Sequence, residues 1–148
     1  MPSSPAFKPA LFIYFDGSFK NYNNKNVGSI GYIIKNQGGD ILYEDKKVID
    51  NIKSNTESEY ISLEISLKTV LNKYGPDNRL FIFGDEKTII DKLKNNNLCG
   101  RYKDILMSIL SLTKKFNSVV FAHISQSENK RAHTLSNNII KKTGESIM

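Results

Sequence analysis

The sequence predicts a single α/β domain, built on a five-stranded mixed sheet with helices on both faces. Two observations predict this fold class. Three strand-like runs joined by tight turns indicate an antiparallel meander, and the pattern then changes to helical periodicity interrupted by two short apolar runs. Because short βα connections make later strands parallel to the first, the last two strands extend the same sheet. A length of 148 residues suits one domain with a substantial core.

The meander fills the first third of the chain. Its strands are predicted at residues 10–16, 27–35 and 41–49, where β-branched and aromatic residues are frequent. An asparagine-rich turn at residues 21–26 separates the first two strands, and Gln37-Gly38-Gly39-Asp40 is a hairpin signal before the third. We therefore expect these three strands to pair antiparallel in sequence order.

Helical and strand-like segments alternate in the rest of the chain. Apolar residues at helical spacing predict a helix over residues 55–74, with Ser54 or Asn55 as its N-cap and Gly75-Pro76 as its stop. The later elements are predicted as a strand at 79–84, helices at 86–94 and 102–116, a strand at 118–125 and a closing helix from about 128. Continuous apolarity in the fourth strand predicts burial on both of its faces.

Domain organisation and composition describe a globular protein. Residues 1–9 hold three prolines and two serines and are expected to form a flexible arm, residues 10–142 the domain, and residues 143–148 a C-terminal tail. Cys99 is the single cysteine, which excludes a disulfide within the chain and a cysteine-rich zinc site. The first residues lack a charged region followed by an apolar one, so we expect no signal peptide, and no apolar run reaches membrane-spanning length. We expect an intracellular, cytoplasmic protein and a monomer.

The charge balance favours an acidic partner. Lys and Arg number 21 against 15 Asp and Glu, giving a net charge of +6. Lys87, Arg101 and Lys103 follow the fourth predicted strand and are candidates for phosphate contacts in nucleic acid. A merely solvated helix face would show the same lysines, so charge alone leaves both interpretations open.

Three carboxylates are predicted to converge. Asp16 ends the first strand and precedes Gly17, Asp85 ends the fourth strand, and Glu59 lies in the first turn of the first helix. Because the carboxyl ends of parallel strands meet at one edge of a sheet, Asp16 and Asp85 are expected to be neighbours. Clustered carboxylates repel unless a cation neutralises them, and ligand sets made only of oxygen suit Mg²⁺ or Mn²⁺.

The order and spacing of five short motifs resemble those of type 1 ribonuclease H. The resemblance extends from about residue 11 to about residue 140. The motifs are Tyr14-Phe15-Asp16-Gly17-Ser18, Gly28-Ser29-Ile30-Gly31-Tyr32, Asn55-Thr56-Glu57-Ser58-Glu59-Tyr60, Gly84-Asp85 and Glu128-Asn129-Lys130-Arg131-Ala132.

This resemblance implies an endonuclease that hydrolyses the RNA strand of RNA–DNA hybrids with two metal ions. Asp16 would bridge the ions, Glu59 would bind one near the ribose 2′-hydroxyl, and Asp85 would hold the ion that activates water. Asn55 would contact the hybrid in its minor groove, and Gly17 and Ser18 are further candidates for substrate binding. Cleavage would leave 5′-phosphate and 3′-hydroxyl ends.

One position departs from the family pattern. His133 stands where the family has a fourth catalytic aspartate. A neutral imidazole can ligate a divalent metal, but it is softer than a carboxylate and brings no negative charge. We therefore expect His133 to act as a catalytic metal ligand that weakens Mg²⁺ binding and favours Mn²⁺. Glu86, directly after Asp85, could supply compensating charge.

Each candidate also has a structural interpretation. Asp16 could be a turn residue, Glu59 a residue favoured by the helix dipole, Asp85 an N-cap, and His133 an exposed helical residue. His123 is expected to be a packed or hydrogen-bonded structural histidine. Two rival functions follow: a nucleic-acid-binding domain that has lost turnover, and a related nuclease or resolvase acting on DNA.

Overall fold

The five strands form one sheet in the order β3-β2-β1-β4-β5. The computed structural model describes residues 9–137. The strands are β1 (Ala10–Tyr22), β2 (Lys25–Lys35), β3 (Ile41–Asp50), β4 (Arg79–Gly84) and β5 (Ser118–His123). The first three pair antiparallel, whereas β4 and β5 run parallel to β1. This arrangement confirms the predicted fold class. The predicted C-terminal tail and nearly all of the predicted N-terminal arm lie outside the described residues.

Three helices and a C-terminal helical stretch cover the sheet. They are α1 (Asn55–Tyr74), α2 (Lys87–Lys94), α3 (Lys103–Thr113) and the helical residues 130–137, here called the C-terminal helix. Ser54 caps α1, since its hydroxyl accepts from the Glu57 amide at 3.1 Å. Gly75 follows the last turn with φ of 79°, a conformation that glycine adopts easily.

Alternation along β2 separates the two faces of the sheet. Ile30, Tyr32 and Ile34 belong to the main core, which also contains the apolar face of α1. Ile33 points the other way and packs with Ala132 and Leu135 of the C-terminal helix. Helices therefore lie on both faces, as predicted.

Several predicted boundaries and one burial pattern were wrong. β1 does not end at Asp16, because its antiparallel pairing with β2 continues to Tyr22. Its parallel pairing with β4 ends earlier, at Tyr14, so Asp16 lies inside a strand but beyond the reach of β4. β4 is fully buried on one face only, since Phe81 and Phe83 are half-buried and stack on the rings of β1. α3 ends at Thr113 and β5 at His123, both earlier than predicted.

Gly31 is the point at which the C-terminal helix approaches β2. A Cβ at this position would lie 2.7 Å from the Ala132 carbonyl oxygen and 2.8 Å from the Ser136 amide nitrogen. We expect Gly31→Ala to destabilise the protein by about 1–3 kcal/mol, because backbone must move to relieve the overlap. Chemical denaturation would measure the loss. Gly38→Ala is the matched control, since a Cβ there would lie 3.5 Å from its nearest neighbour, the side-chain oxygen of Asn36. Equal stability of the two variants would contradict the expectation.

Within residues 9–137, the helices are too short or too polar to cross a lipid bilayer.

Candidate active site

Three carboxylates from three elements meet at one end of the sheet. Asp16 comes from β1, Glu59 from α1, and Asp85 from the residue after β4. One oxygen from each lies within 4.8 Å of the others. Asp16 and Glu59 are only 3% and 2% exposed, and Asp85 is half-buried. The topology thus brings together the three acidic residues that the sequence singled out.

Gly17 allows α1 to come this close to β1. A Cβ on Gly17 would lie 2.5 Å from the Ser58 carbonyl carbon and 2.6 Å from the Glu59 amide nitrogen. The first turn of α1 therefore packs directly on the β1 backbone, which sets Glu59 beside Asp16. Glu59 begins the second turn of α1, whereas the acidic residue of the first turn is Glu57. The helix dipole is therefore a weaker explanation for Glu59 than its neighbours are.

The electrostatics of the cluster are unfavourable without a cation. Burial, with the charges of Asp16 and Asp85 adding to it, raises the pKa of Glu59 well above its ordinary value. Burial also raises the pKa of Asp85, an effect that a hydrogen bond from Asn129 opposes. Burial and the charges of Asp85 and Asp16 raise the pKa of Glu86.

One buried oxygen supports a metal at this point. Among the described residues, Oε2 of Glu59 has no hydrogen-bond partner. A buried carboxylate oxygen is expensive to leave unpaired, and here the neighbouring charges are also negative. The residues fit hard divalent cations, because each of the three offers oxygen.

His133 lies against the cluster through Asp16. Its Nδ1 donates to Oδ2 of Asp16 at 3.0 Å, since the carboxylate oxygen is the acceptor. Ser136 also donates to that oxygen, at 3.0 Å. Side-chain nitrogens of Gln126 and Asn137 lie 3.0–3.3 Å from the imidazole nitrogens. With Nδ1 as the donor, Nε2 is the accepting ring nitrogen, and the side-chain nitrogens of Asn137 and Gln126 lie 3.0 and 3.3 Å from it.

Asp85 does not cap α2. The N-cap of α2 is Glu86, and its side chain makes no capping bond within the described part of the chain. Oδ2 of Asp85 instead accepts from Asn129 at 3.1 Å. The carboxylate is therefore directed toward the other acidic residues and not toward the helix.

The cluster lies in an open cleft of about 210 Å³. Three further predicted site residues, Gly17, Ser18 and Asn55, are in its lining. The lining residues are Asp16, Gly17, Ser18, Phe19, Lys20, Asn55, Glu59, Asp85, Glu86, Gln126, His133 and Asn137.

The predicted basic contacts are not in that lining. Lys87 is exposed and pairs with Asp91 at 2.6 Å. Arg101 lies over the ring of Tyr102, 5.6 Å from its centroid, and Lys103 is exposed at the start of α3. Lys20 is the basic residue that the cleft contains among those described, and the sequence did not single it out.

Sequence reasoning gave no role to three polar residues around His133, namely Asn129, just before the C-terminal helix, and Ser136 and Asn137 within it. Asn129, His133, Ser136 and Asn137 follow a spacing of four, three and one residues, which places them on one helical face. That polar stripe is a usable signal. The prediction that His123 is packed was wrong, because it is exposed at the end of β5, where it is in register with Gly84, the residue before Asp85.

The sheet order and the buried carboxylates together define a protein of the ribonuclease H-like class. The chain belongs to the family described as "Reverse transcriptase-like", whose profile matches residues 14–139. A search of curated proteins gives no match.

Solved structures of ribonucleases H share the fold. RNase H1 from the halophilic archaeon Halobacterium salinarum NRC-1 superposes with a TM-score of 0.76 at 21% identity, covering 90% of this chain and 98% of that one. The N-terminal RNase H domain of rv2228c from Mycobacterium tuberculosis gives 0.82 at 16% identity, with 95% and 99% coverage. LC11-RNase H1, solved in complex with RNA/DNA hybrid, gives 0.79 at 23%, with 90% and 98% coverage. The predicted resemblance to type 1 ribonuclease H is therefore confirmed at the level of fold.

Proposed function

We propose that this protein is a metal-dependent endonuclease that hydrolyses the RNA strand of RNA–DNA hybrids. The observation that carries the proposal is the buried convergence of Asp16, Glu59 and Asp85, with an oxygen of Glu59 left unpaired. The structure of LC11-RNase H1 with a hybrid supports this choice of substrate. The net charge of +6 suits a polyanionic partner.

Asp16, Glu59 and Asp85 are the residues that would hold the cations. One oxygen of each lies within 4.8 Å of the other two, so the three side chains could share bound cations. Bound as a pair, divalent cations supply a nucleophilic water and stabilise the oxygen that leaves in an in-line displacement. This chemistry would give 5′-phosphate and 3′-hydroxyl ends. Asn55 lines the same cleft one turn before Glu59, where it can contact the strand that carries 2′-hydroxyls.

The substrate test compares three duplexes. A labelled RNA–DNA hybrid, duplex RNA and duplex DNA are incubated with the protein and either Mg²⁺ or Mn²⁺. Cleavage of the hybrid alone supports the proposal. Binding without cleavage under every condition would indicate a nucleic-acid-binding domain, and preferential cutting of duplex DNA would indicate a DNA nuclease.

His133 is proposed to shift the cation preference toward Mn²⁺. Its Nε2 is softer than a carboxylate oxygen and adds no negative charge to the cluster. We expect His133→Asp to raise the ratio of Mg²⁺-supported to Mn²⁺-supported rates by about tenfold. His133→Ala should lower both rates. Hydrolysis rates measured across a titration of each metal test this, and wild-type rates in both variants with both metals would remove His133 from catalysis.

A further inference from the structure

Asn129 joins the two strands that carry the aspartates of the cluster. It is 1% exposed, and its side-chain nitrogen donates to the Phe15 carbonyl oxygen at 2.8 Å and to Oδ2 of Asp85 at 3.1 Å. Both partners are acceptors, so the nitrogen of the amide must face them. The orientation of the Asn129 side chain is thereby fixed by its surroundings.

The position of these two bonds matters because the backbone pairing has already ended. The β1–β4 ladder stops at Tyr14 and Phe83, two residues before Asp16 and Asp85 respectively. Phe15 directly precedes Asp16, so a bond to its carbonyl holds the backbone from which the Asp16 side chain projects. Asn129 thus connects the two strands at the level of the carboxylates, beyond the last ladder pair.

Asn129 also begins the segment that carries His133. The backbone carbonyl of Asn129 accepts from the His133 amide at 3.1 Å, which is the first helical bond leading to that residue. One residue therefore contacts β1, the Asp85 carboxylate and the helix beside Asp16.

We propose that Asn129 is a positioning residue that sets the spacing of the Asp16 and Asp85 carboxylates for a shared pair of divalent cations. The inference rests on the proposed function, because it assigns these carboxylates to metal. Its bond to one oxygen of Asp85 fixes the carboxylate and leaves the other oxygen free to act as a ligand.

The chemistry of asparagine suits this task. One amide nitrogen carries two hydrogens and can therefore serve two acceptors, whereas a serine hydroxyl carries one and an ionised aspartate none. Oδ1 of Asn129 is buried without a hydrogen-bond partner among residues 9–137, so the oxygen of this side chain does not explain its presence.

The experiment measures Mn²⁺ affinity by isothermal titration calorimetry in the absence of nucleic acid, together with thermal unfolding and hydrolysis rates. Asn129→Asp directs an oxygen at two acceptors, and we expect a 10- to 100-fold weaker affinity for Mn²⁺. Asn129→Ser keeps one donor and should fall between this variant and the wild type. At saturating Mn²⁺, the serine variant should recover much of its rate.

Asn78 provides a matched control. It is also a buried asparagine, 4% exposed, and its side-chain nitrogen donates to the Tyr74 and Gly75 carbonyls at 2.9 Å. It precedes the first residue of β4, at the end of that strand opposite to Asp85. Asn78→Ser should lower the unfolding temperature but leave Mn²⁺ affinity unchanged.

The outcomes separate this inference from the proposed function. Wild-type Mn²⁺ affinity in folded Asn129→Ser, with a stability loss like that of Asn78→Ser, overturns the positioning role even if hybrids are cleaved. Wild-type protein that binds Mn²⁺ but cleaves no hybrid overturns the proposed function, and the affinities of the variants still decide the inference. A wild type that binds no Mn²⁺ overturns both.

Discussion

Asp16→Asn is expected to reduce hydrolysis of RNA–DNA hybrids by about 10³-fold or more while the protein stays folded. Asp16 is a buried member of the acidic cluster, and its replacement removes one of the three carboxylates proposed to hold the cations. Stabilisation of the transition state by metal is worth several kcal/mol, and each 1.4 kcal/mol corresponds to about a factor of ten in rate. Single-turnover cleavage of a labelled hybrid measures the effect.

The fold should tolerate this change. Asparagine keeps the volume of the side chain, and its oxygen can still accept from Ser136. Asp91→Asn is the matched control, because it neutralises an exposed carboxylate outside the cleft that pairs only with Lys87 among the contacts seen for it in residues 9–137. Hybrid cleavage by Asp16→Asn at the rate of Asp91→Asn would contradict the assignment of the site.

Glu59→Gln is expected to unfold at a temperature several degrees higher than the wild type when both are free of metal at neutral or alkaline pH. Burial and the neighbouring carboxylates raise the pKa of Glu59 in the folded protein. Its contribution to stability is therefore complete below the unfolded pKa and is lost as the pH rises through the higher folded pKa. The neutral amide of glutamine avoids that loss and can donate toward Asp16.

The measurement is the unfolding temperature as a function of pH in the presence of a chelator. The gap between Glu59→Gln and the wild type should close toward acid pH, near the ordinary value of a glutamate. Asp91→Asn should instead unfold at a lower temperature than the wild type at neutral pH, because the Lys87 hydrogen bond lowers the pKa of Asp91. That gap should also close as the pH falls, since the contribution of Asp91 to stability is lost there. A gap that does not vary with pH would contradict the raised pKa.

A divalent cation should reverse this order of stability. Mn²⁺ at a hundredfold excess over its Kd stabilises a protein that binds it only when folded by about 2.7 kcal/mol. The wild type should gain this stabilisation and Glu59→Gln should gain less, because one carboxylate ligand has been removed. Equal gains for the two proteins would show that Glu59 does not hold the cation.

Local patterns in the sequence were sufficient to locate the acidic residues. Asp16 and Asp85 each follow an apolar run of residues, and parallel strands bring such positions to one edge of a sheet. Glu59 could be located because it lies near the start of a helix that the apolar spacing predicts. The cap of that helix, Ser54, is a usual N-cap residue. Each of these signals spans only a few residues, so each can be read without knowing the tertiary structure.

The remaining features depend on contacts between distant segments. Asn129 donates a hydrogen bond to the carbonyl of Phe15, 114 residues away, and no local sequence pattern predicts that bond. β1 extends to Tyr22 because it stays paired with β2. The asparagines of residues 21–26 are typical of a turn, so the sequence predicted an earlier end for the strand. Lys87 and Arg101 follow Asp85 in the sequence, but neither lines the cleft. Lys87 pairs with Asp91 on α2, and Arg101 lies over the ring of Tyr102 in the turn before α3.

The continuation of β1 beyond β4 has a consequence for how the cluster responds to a cation. Asp16 pairs with Gly31 within an antiparallel ladder that extends six residues further to Tyr22, so its main chain is not part of a pliable loop. Mutual repulsion among the carboxylates therefore cannot relax by swinging this residue outward. Under the proposed function, the carboxylates form a preorganised site, and a bound cation would relieve their repulsion with little rearrangement of the backbone.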